Sequence, residues 1–175
     1  MNTRDFTGVL PTILSELVNG SPDPTVGTYT LNRGDEGLLK SIDKLSAAEA
    51  SRTSNGGSSI AAHVDHIRYG LSLLNRWAAG ETAPWKNADW TTSWKKPVVS
   101  DAEWRTLRED VRRETQAWIE ALRTPRDVND AQLGWITGSV SHLAYHLGAI
   151  RQIDRATRGP SAEDERRAEE RLAQR

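Results

Sequence analysis

Cysteine is absent from this 175-residue chain, and so are long apolar runs. Without thiols there can be no disulfide framework, thiolate metal site, iron–sulfur cluster or cysteine nucleophile, so any metal must be held by His, Asp or Glu. No apolar run approaches the roughly 18 to 20 residues that cross a bilayer. The opening residues carry Asp5, Pro11 and Glu16 where a signal peptide would be apolar, so we expect a cytoplasmic protein without membrane partners.

An excess of charge of either sign is also lacking. The 23 Lys and Arg residues nearly balance the 24 Asp and Glu residues, which leaves a formal net charge of -1. Such a chain has no overall field to attract a phosphate backbone, so nucleic-acid binding is not expected. Hydrophobic residues make up 37% of the chain, which is enough to build the core of one ordinary domain.

Helical signals cover most of the chain and predict an all-α fold. Ser100 followed by Glu103, and Asn129 followed by Gln132, are typical of the capping box that begins a helix. An apolar stripe of helical period follows the first box and consists of Trp104, Leu107, Val111, Trp118 and Leu122. We predict that the second box opens a helix of about 25 residues that stops at Gly159-Pro160.

Further helices are predicted over about 58–79, from a Ser cap to Gly80, and over 6–17, closed by Asn19-Gly20. A shorter apolar set spans 38–45. Between residues 20 and 33 the alternation over 28–31 suggests a small extended segment. The residues after Ser161 are almost entirely charged and are typical of a frayed helix.

One connection is unusually long, the stretch of about 20 residues from Gly80 to Val99. It carries Trp85, Trp90 and Trp94, which argue against disorder. These indoles could form a lid or an apolar wall over a site, or they could cover the bundle end or a dimer interface. The connection is also long enough to cross a helix bundle from end to end.

All four histidines fall on two predicted helices, His63 and His66 on one and His142 and His146 on another. Residues four apart share a helix face, so the pair at 142 and 146 could chelate one ion. A third imidazole from a facing helix would complete a three-histidine site with positions open to water or substrate. Zn, Ni, Fe and Mn all remain candidates. The alternative is that these are ordinary core or surface histidines.

Several better-known motifs are missing. There is no HExxH, and Ser139 and Leu143 replace the Glu of an ExxH pattern, which disfavours a metalloprotease and a ferritin-like diiron centre. Neither a GxxxxGK[ST] phosphate loop nor a GxSxG nucleophile elbow is present.

Ser59 is followed seven residues later by His66-Ile67, and His142 and His146 form an HxxxH pattern followed by Gly148. These two segments resemble the DinB-like superfamily, small four-helix bundles related to bacterial thiol-dependent S-transferases. Leu147 and Ala149 stand where the family commonly has Arg and Gln. The resemblance implies a bundle domain over residues 1–157 and a charged tail over 158–175.

The resemblance also implies an up-down-down-up four-helix bundle with a long crossover loop between helices 2 and 3, often a homodimer. Its metal ligands would be His66, His142 and His146. His63 lies on nearly the same helix face one turn earlier, as a supporting partner or an alternative ligand. The implied cofactors are a divalent metal (Zn, Ni, Mn or Fe) and a low-molecular-weight thiol such as bacillithiol or mycothiol.

Two classes of function follow. The first is a metal-dependent enzyme that acts on a small-molecule substrate, as a thiol S-transferase or a hydrolase. The second is a non-enzymatic, metal- or ligand-binding stress-response bundle with a closed coordination shell. A fourth histidine close to the other three would favour the second class, which makes the position of His63 informative.

Overall fold

The computed structural model describes residues 2–21, 27–53 and 56–173, and these residues are all-helical. Seven α-helices are formed within these ranges: α1 (Val9–Asn19), α2 (Gly37–Asp43), α3 (Ala47–Ala50), α4 (Ile60–Ala78), α5 (Asp101–Leu122), α6 (Asp130–Ile153) and α7 (Ala162–Ala173). Short 3-10 turns occupy Arg4–Phe6, Thr92–Lys95 and Arg155–Thr157. Among the described residues there is no β-strand, and none of the helices is both long and apolar enough to cross a membrane.

The three longest helices begin at the side-chain caps that the sequence predicts. The Oγ of Ser59 accepts a hydrogen bond from the backbone N–H of Ala62 at the start of α4. Complete capping boxes open α5 at Ser100 and α6 at Asn129. Each cap satisfies a backbone donor that has no partner inside its helix, and this determines where the helix starts.

The core is built from the apolar faces of α1, α2, α4, α5 and α6. The five residues of the predicted α5 stripe are all buried, and Trp104 and Trp118 are almost fully enclosed. Both indoles also find acceptors, because Trp104 Nε1 donates to the carbonyl of Leu45 and Trp118 Nε1 donates to Ser139 Oγ, each at 2.8 Å. The other helices contribute Leu14, Leu17, Leu38, Ile42, Ile60, Ile67, Leu143, Leu147 and Ile150.

Helix α4 has a central position in this packing. It packs most extensively against α5 and also contacts α6, while α1 contacts α2, α5 and α6. The connection from Gly80 to Val99 contacts α4 through its 3-10 turn. As a result, one face of α4 and one face of α6 lie opposite each other beneath the tryptophan-rich connection.

Two sequence predictions differ from the structure at the ends of elements. Helix α6 ends at Ile153 and not at Gly159-Pro160, because Asp154 is extended and its side chain caps the following 3-10 turn at Ala156. The predicted extended segment over 28–31 forms no strand, and residues 22–26 of that stretch lie outside the described residues. The charged tail forms α7 over Ala162–Ala173.

The backbone of residues 29–31 is held by a carboxylate instead of a neighbouring strand. The two oxygens of Glu16, which is 7% exposed, accept three backbone N–H bonds from these residues and one from the Thr30 hydroxyl, at 2.7–2.9 Å. Burial raises the pKa of the Glu16 carboxyl, but the four donors lower it by more, so its net pKa lies below the ordinary value.

The start of α2 and the residues just before it lie against two other parts of the chain. Gly37 has a φ of +71°, and a Cβ there would lie 2.3 Å from the backbone nitrogen of Gly20, so this close approach requires glycine. The neighbouring Asp35 side chain is 2% exposed and accepts a hydrogen bond from Arg151 of α6 at 2.7 Å. This ion pair attaches the end of α6 to the segment between α1 and α2.

Candidate metal centre and adjacent cavity

Four histidines meet between α4 and α6. His66 and His63 lie one turn apart near the start of α4, and His142 and His146 lie one turn apart in the second half of α6. His66 is 8% exposed and His146 is 3% exposed, whereas His63 and His142 are more open. The packing of α4 against α6 therefore brings together two pairs that are about 80 residues apart in the sequence.

The three histidines predicted as ligands converge. One ring nitrogen from each of His66, His142 and His146 lies within 4.8 Å of the other two, and the Nε2 atoms of His142 and His146 are 2.9 Å apart. These three form the one group of at least three potential metal ligands in the part of the chain that the structure describes. The prediction that they bind a metal remains to be tested by measurement.

His63 lies on the opposite side of His146. Its Nδ1 is 2.9 Å from the Nδ1 of His146, while the Nε2 of His146 faces His142. A neutral imidazole has one N–H donor and one acceptor nitrogen, so His146 can take part in both contacts at once. Histidine ligands commonly donate their second ring nitrogen to a fixed acceptor, and His63 occupies that position.

The pKa of each of the four imidazoles lies below the ordinary value for histidine, which favours the neutral form. Burial lowers the pKa of His63 and of His142 below the ordinary value for histidine. For His146, burial and then the like charges of its three histidine neighbours lower the pKa to about 3. The pKa of His66 is lowered first by burial and then by the charges of His142 and His63. Neutral imidazole is the form that binds metals, so the cluster is ready to bind one near pH 7.

The side chains present fit a divalent metal. The buried Nδ1 of His66 has no hydrogen-bond partner in the described ranges, although a buried polar nitrogen of this kind normally has one. The convergent donors are all imidazole nitrogens, which suit Zn, Ni or Fe better than Mg or Ca. Asp65, the carboxylate next to His66 in sequence, instead accepts a hydrogen bond from Arg68 and faces a different cleft, between α4 and α5.

Tryptophans of the long connection enclose the cluster from outside. The Trp94 ring centroid lies 4.6 Å from that of His66 and 5.3 Å from that of His63, and Trp90 lies 6.1 Å from His66. Trp85 contacts Trp135 of α6 at a centroid distance of 3.9 Å. The predicted apolar wall therefore exists in this structure, whereas movement of the connection as a lid stays a prediction.

A cavity of about 360 Å³ opens beside the cluster, between α4 and α6. His66 and His142 form part of its wall, and Trp85 and Trp90 of the connection form another part. The remaining lining comes from the two helices: Ile67, Gly70, Leu71, Leu73, Leu74, Gly134, Trp135, Gly138, Ser139 and Leu143. A volume of this size lies within the range of small-molecule sites.

Sequence reasoning missed the α6 contribution to this cavity. Gly134, Gly138 and Trp135 were not identified as site residues, and Ser139 was noted only for not being a glutamate. The available signal was the pair of glycines four residues apart inside a predicted helix, since glycine is unfavourable there unless packing or space requires it. The spacing places both on one face of α6, the face that carries His142 one turn later.

Comparison with known families identifies the superfamily of the chain. A family model described as the DinB superfamily matches residues 30–150, more than two thirds of the 175 residues, and the chain belongs to that superfamily. The matched range includes all four histidines and the whole tryptophan-rich connection. No curated protein and no solved structure matches the chain.

Proposed function

We propose that this DinB-superfamily protein is a divalent-metal-dependent enzyme that acts on small-molecule substrates, with His66, His142 and His146 as the metal ligands. The observation that carries the proposal is the convergence of three histidine side chains, two of which, His66 and His142, line a cavity of small-molecule size. A closed structural site would not need such a cavity, whereas a catalytic site needs a position that a substrate can reach.

A metal bound there would supply Lewis acidity, which lowers the pKa of a thiol or a water molecule towards neutral and so suits an S-transferase or a hydrolase. The protein's own side chains have separate roles. His66 and His142 face the cavity, where substrate would lie. With His146 as the Nδ1–H tautomer, His63 Nδ1 accepts its hydrogen bond and keeps that ring in one orientation. Trp85 and Trp90 supply an apolar part of the cavity wall.

An S-transferase with a low-molecular-weight thiol such as bacillithiol or mycothiol is our first candidate, because the protein has no cysteine of its own to act as the nucleophile. A hydrolase would use the same ligands and the same cavity. The two reactions differ in whether turnover requires added thiol, which a substrate screen with and without thiols would reveal.

A non-enzymatic stress-response bundle is the second candidate, and the closeness of His63 favours it. A fourth imidazole that became a ligand would close the coordination shell and leave no position for substrate. The contact of His63 is to His146 Nδ1, away from the nitrogen that faces His142, and this supports an orienting role over ligation.

For the remaining architecture we propose that α1, α4, α5 and α6 are the four helices of an up-down-down-up bundle, with residues 80–99 as the crossover. The extensive packing of α4 on α5, despite their long connection, supports this assignment. We also propose a bundle domain over 1–157 with a separate tail, a homodimer and a cytoplasmic location. Light scattering of the purified protein would test the dimer.

The metal site is tested by elemental analysis of protein purified without a His-tag or chelators. We expect one equivalent of Zn, Ni, Mn or Fe in the wild type and less than a tenth of that in His142→Ala. Asp65→Asn is the matched control, because Asp65 neighbours His66 in sequence but pairs with Arg68, and it should keep full metal content. Wild-type protein that takes up none of the four metals would overturn the proposal.

A further inference from the structure

Two glycines on the cavity wall are not explained by helix packing. Gly134 and Gly138 lie inside α6, where alanine would make a more stable helix. A Cβ built on either residue meets no heavy atom within 4 Å, so no neighbouring element requires glycine by close approach. Both residues line the cavity, and across it lies Gly70 of α4. The absence of side chains at these glycines therefore leaves space that forms part of the cavity.

None of the described residues that line the cavity carries a charged side chain. Its polar side chains that can face a ligand are His66 and His142, together with the indole edges of the tryptophans. Ser139 also lines the cavity, but its hydroxyl donates to the carbonyl of Ile136 and accepts from Trp118 Nε1. In metal-free protein, a carboxylate, phosphate or ammonium group would therefore lose its hydration here without gaining a charged partner among the described lining residues.

The polar end of the cavity is well defined. His66 is more than nine-tenths buried, lines the cavity and has a ring nitrogen without a hydrogen-bond partner. At the other end, the wall is made of Trp85, Trp135 and the leucines of α4. Bare helix backbone at the glycines and flat indole rings make walls that suit a planar group better than a branched one.

We propose that this cavity binds a neutral, planar, apolar group, an aromatic ring system, with any polar atom of the ligand placed at the His66 and His142 end. A cavity of about 150 Å³ in another protein holds one benzene ring, so 360 Å³ has room for a two-ring system. The part of this proposal that makes the ring system a substrate rests on the proposed metal function. Binding of the ring system in the cavity does not rest on that function.

The assignment separates the two reactants of a thiol transfer. Among the described lining residues, a low-molecular-weight thiol would find no charged partner for its carboxylates, and for its sugar hydroxyls only the two histidines and the indole N–H groups. The cavity therefore suits the aromatic reactant better than the thiol, whose polar body would lie on the solvent side of the histidines.

Isothermal titration with neutral 2-naphthol and with anionic 2-naphthalenesulfonate, which share the ring system and differ in charge, tests the site. We expect 2-naphthol to bind chelator-treated wild type, and the sulfonate to bind this form about tenfold more weakly or worse. Gly138→Leu fills the cavity and should weaken 2-naphthol binding by about tenfold or more. Gly148→Leu is the matched control, an exposed α6 glycine with the same open surroundings and no place in the cavity, and it should bind like the wild type.

Gly138→Ala gives a second readout that does not depend on tolerance of the larger side chain. It should raise Tm by about 1–4 °C while it weakens 2-naphthol binding, because the helix gains stability and the cavity loses volume. Gly148→Ala should raise Tm without changing the affinity.

Absence of 2-naphthol binding, equal affinity for the two probes, or indifference to both Gly138 substitutions would overturn the proposal. The titration is run on zinc-equilibrated and chelator-treated protein, with zinc content measured in each. Binding that responds to Gly138 in protein that takes up no metal would support the cavity site and refute the metal function. Zinc uptake without 2-naphthol binding would support the metal function and refute the cavity site.

Discussion

His63→Phe tests whether the fourth histidine orients a ligand or is one. The phenyl ring keeps the edge contact with Trp94, whose centroid lies 5.3 Å from that of His63, but it removes the nitrogen 2.9 Å from His146 Nδ1. Loss of an outer acceptor of this kind typically lowers metal affinity 10–100-fold. We therefore expect zinc to bind about 1.4–2.7 kcal/mol more weakly to His63→Phe than to the wild type.

The measurement is competition for zinc against a chelator of known affinity at pH 7.5. His63→Gln is the matched control, because its side-chain carbonyl can still accept a hydrogen bond from His146. We expect the affinity of His63→Gln to lie within about threefold of the wild type. His142→Ala, which removes a proposed ligand, should lose at least a further order of magnitude beyond His63→Phe.

Two results would refute this reasoning in different directions. Zinc affinity unchanged in His63→Phe would show that the contact between the two Nδ1 atoms does not orient His146. A loss as large as that of His142→Ala, without rescue by His63→Gln, would make His63 a fourth ligand. That second result would also favour the closed, non-enzymatic site over the enzyme.

Two further predictions concern the supporting structure. Glu16→Gln should lower the free energy of unfolding at pH 7 by about 2 kcal/mol, because the backbone donors of 29–31 lose an ionised acceptor. Because the folded-state pKa of Glu16 is lowered, its contribution to stability is complete above the unfolded pKa and is lost as the pH falls through the folded pKa. The urea midpoints of wild type and variant should therefore converge at low pH, and a constant gap would contradict this. Arg151→Met should lower the free energy of unfolding in urea by about 3 kcal/mol, because it leaves the Asp35 carboxylate, which is 2% exposed, without its cation. A loss below about 1 kcal/mol would show that the fold does not need this ion pair.

Helix starts and helix faces could be predicted because they depend on local interactions. The boxes at Ser100 and Asn129 each join a side chain to a backbone group three residues away, and both are formed in the structure. The apolar stripe from Trp104 to Leu122 is buried as its period predicts. The spacing of His142 and His146 likewise places both rings on one face of α6 whatever that helix packs against.

Other features depend on residues that are distant in sequence. The alternation over 28–31 predicts an extended segment, but a strand needs a partner ladder, and the carboxylate of Glu16 takes those N–H groups instead. The predicted end of α6 is also wrong, because Asp154 leaves the helix and caps the next turn before Gly159-Pro160 is reached.

The site shows the same division. Residue types and spacing place His142 and His146 on one face of a helix and predict a third imidazole from a facing helix, whereas the choice of His66 over His63 comes from the resemblance to the DinB-like superfamily. The contact of His63 with His146, and the cavity that Gly138 leaves open beside the histidines, follow from how α4 packs on α6 beneath the tryptophan-rich connection. These juxtapositions join side chains about 70–80 residues apart, and only tertiary packing determines which of them touch and where space remains.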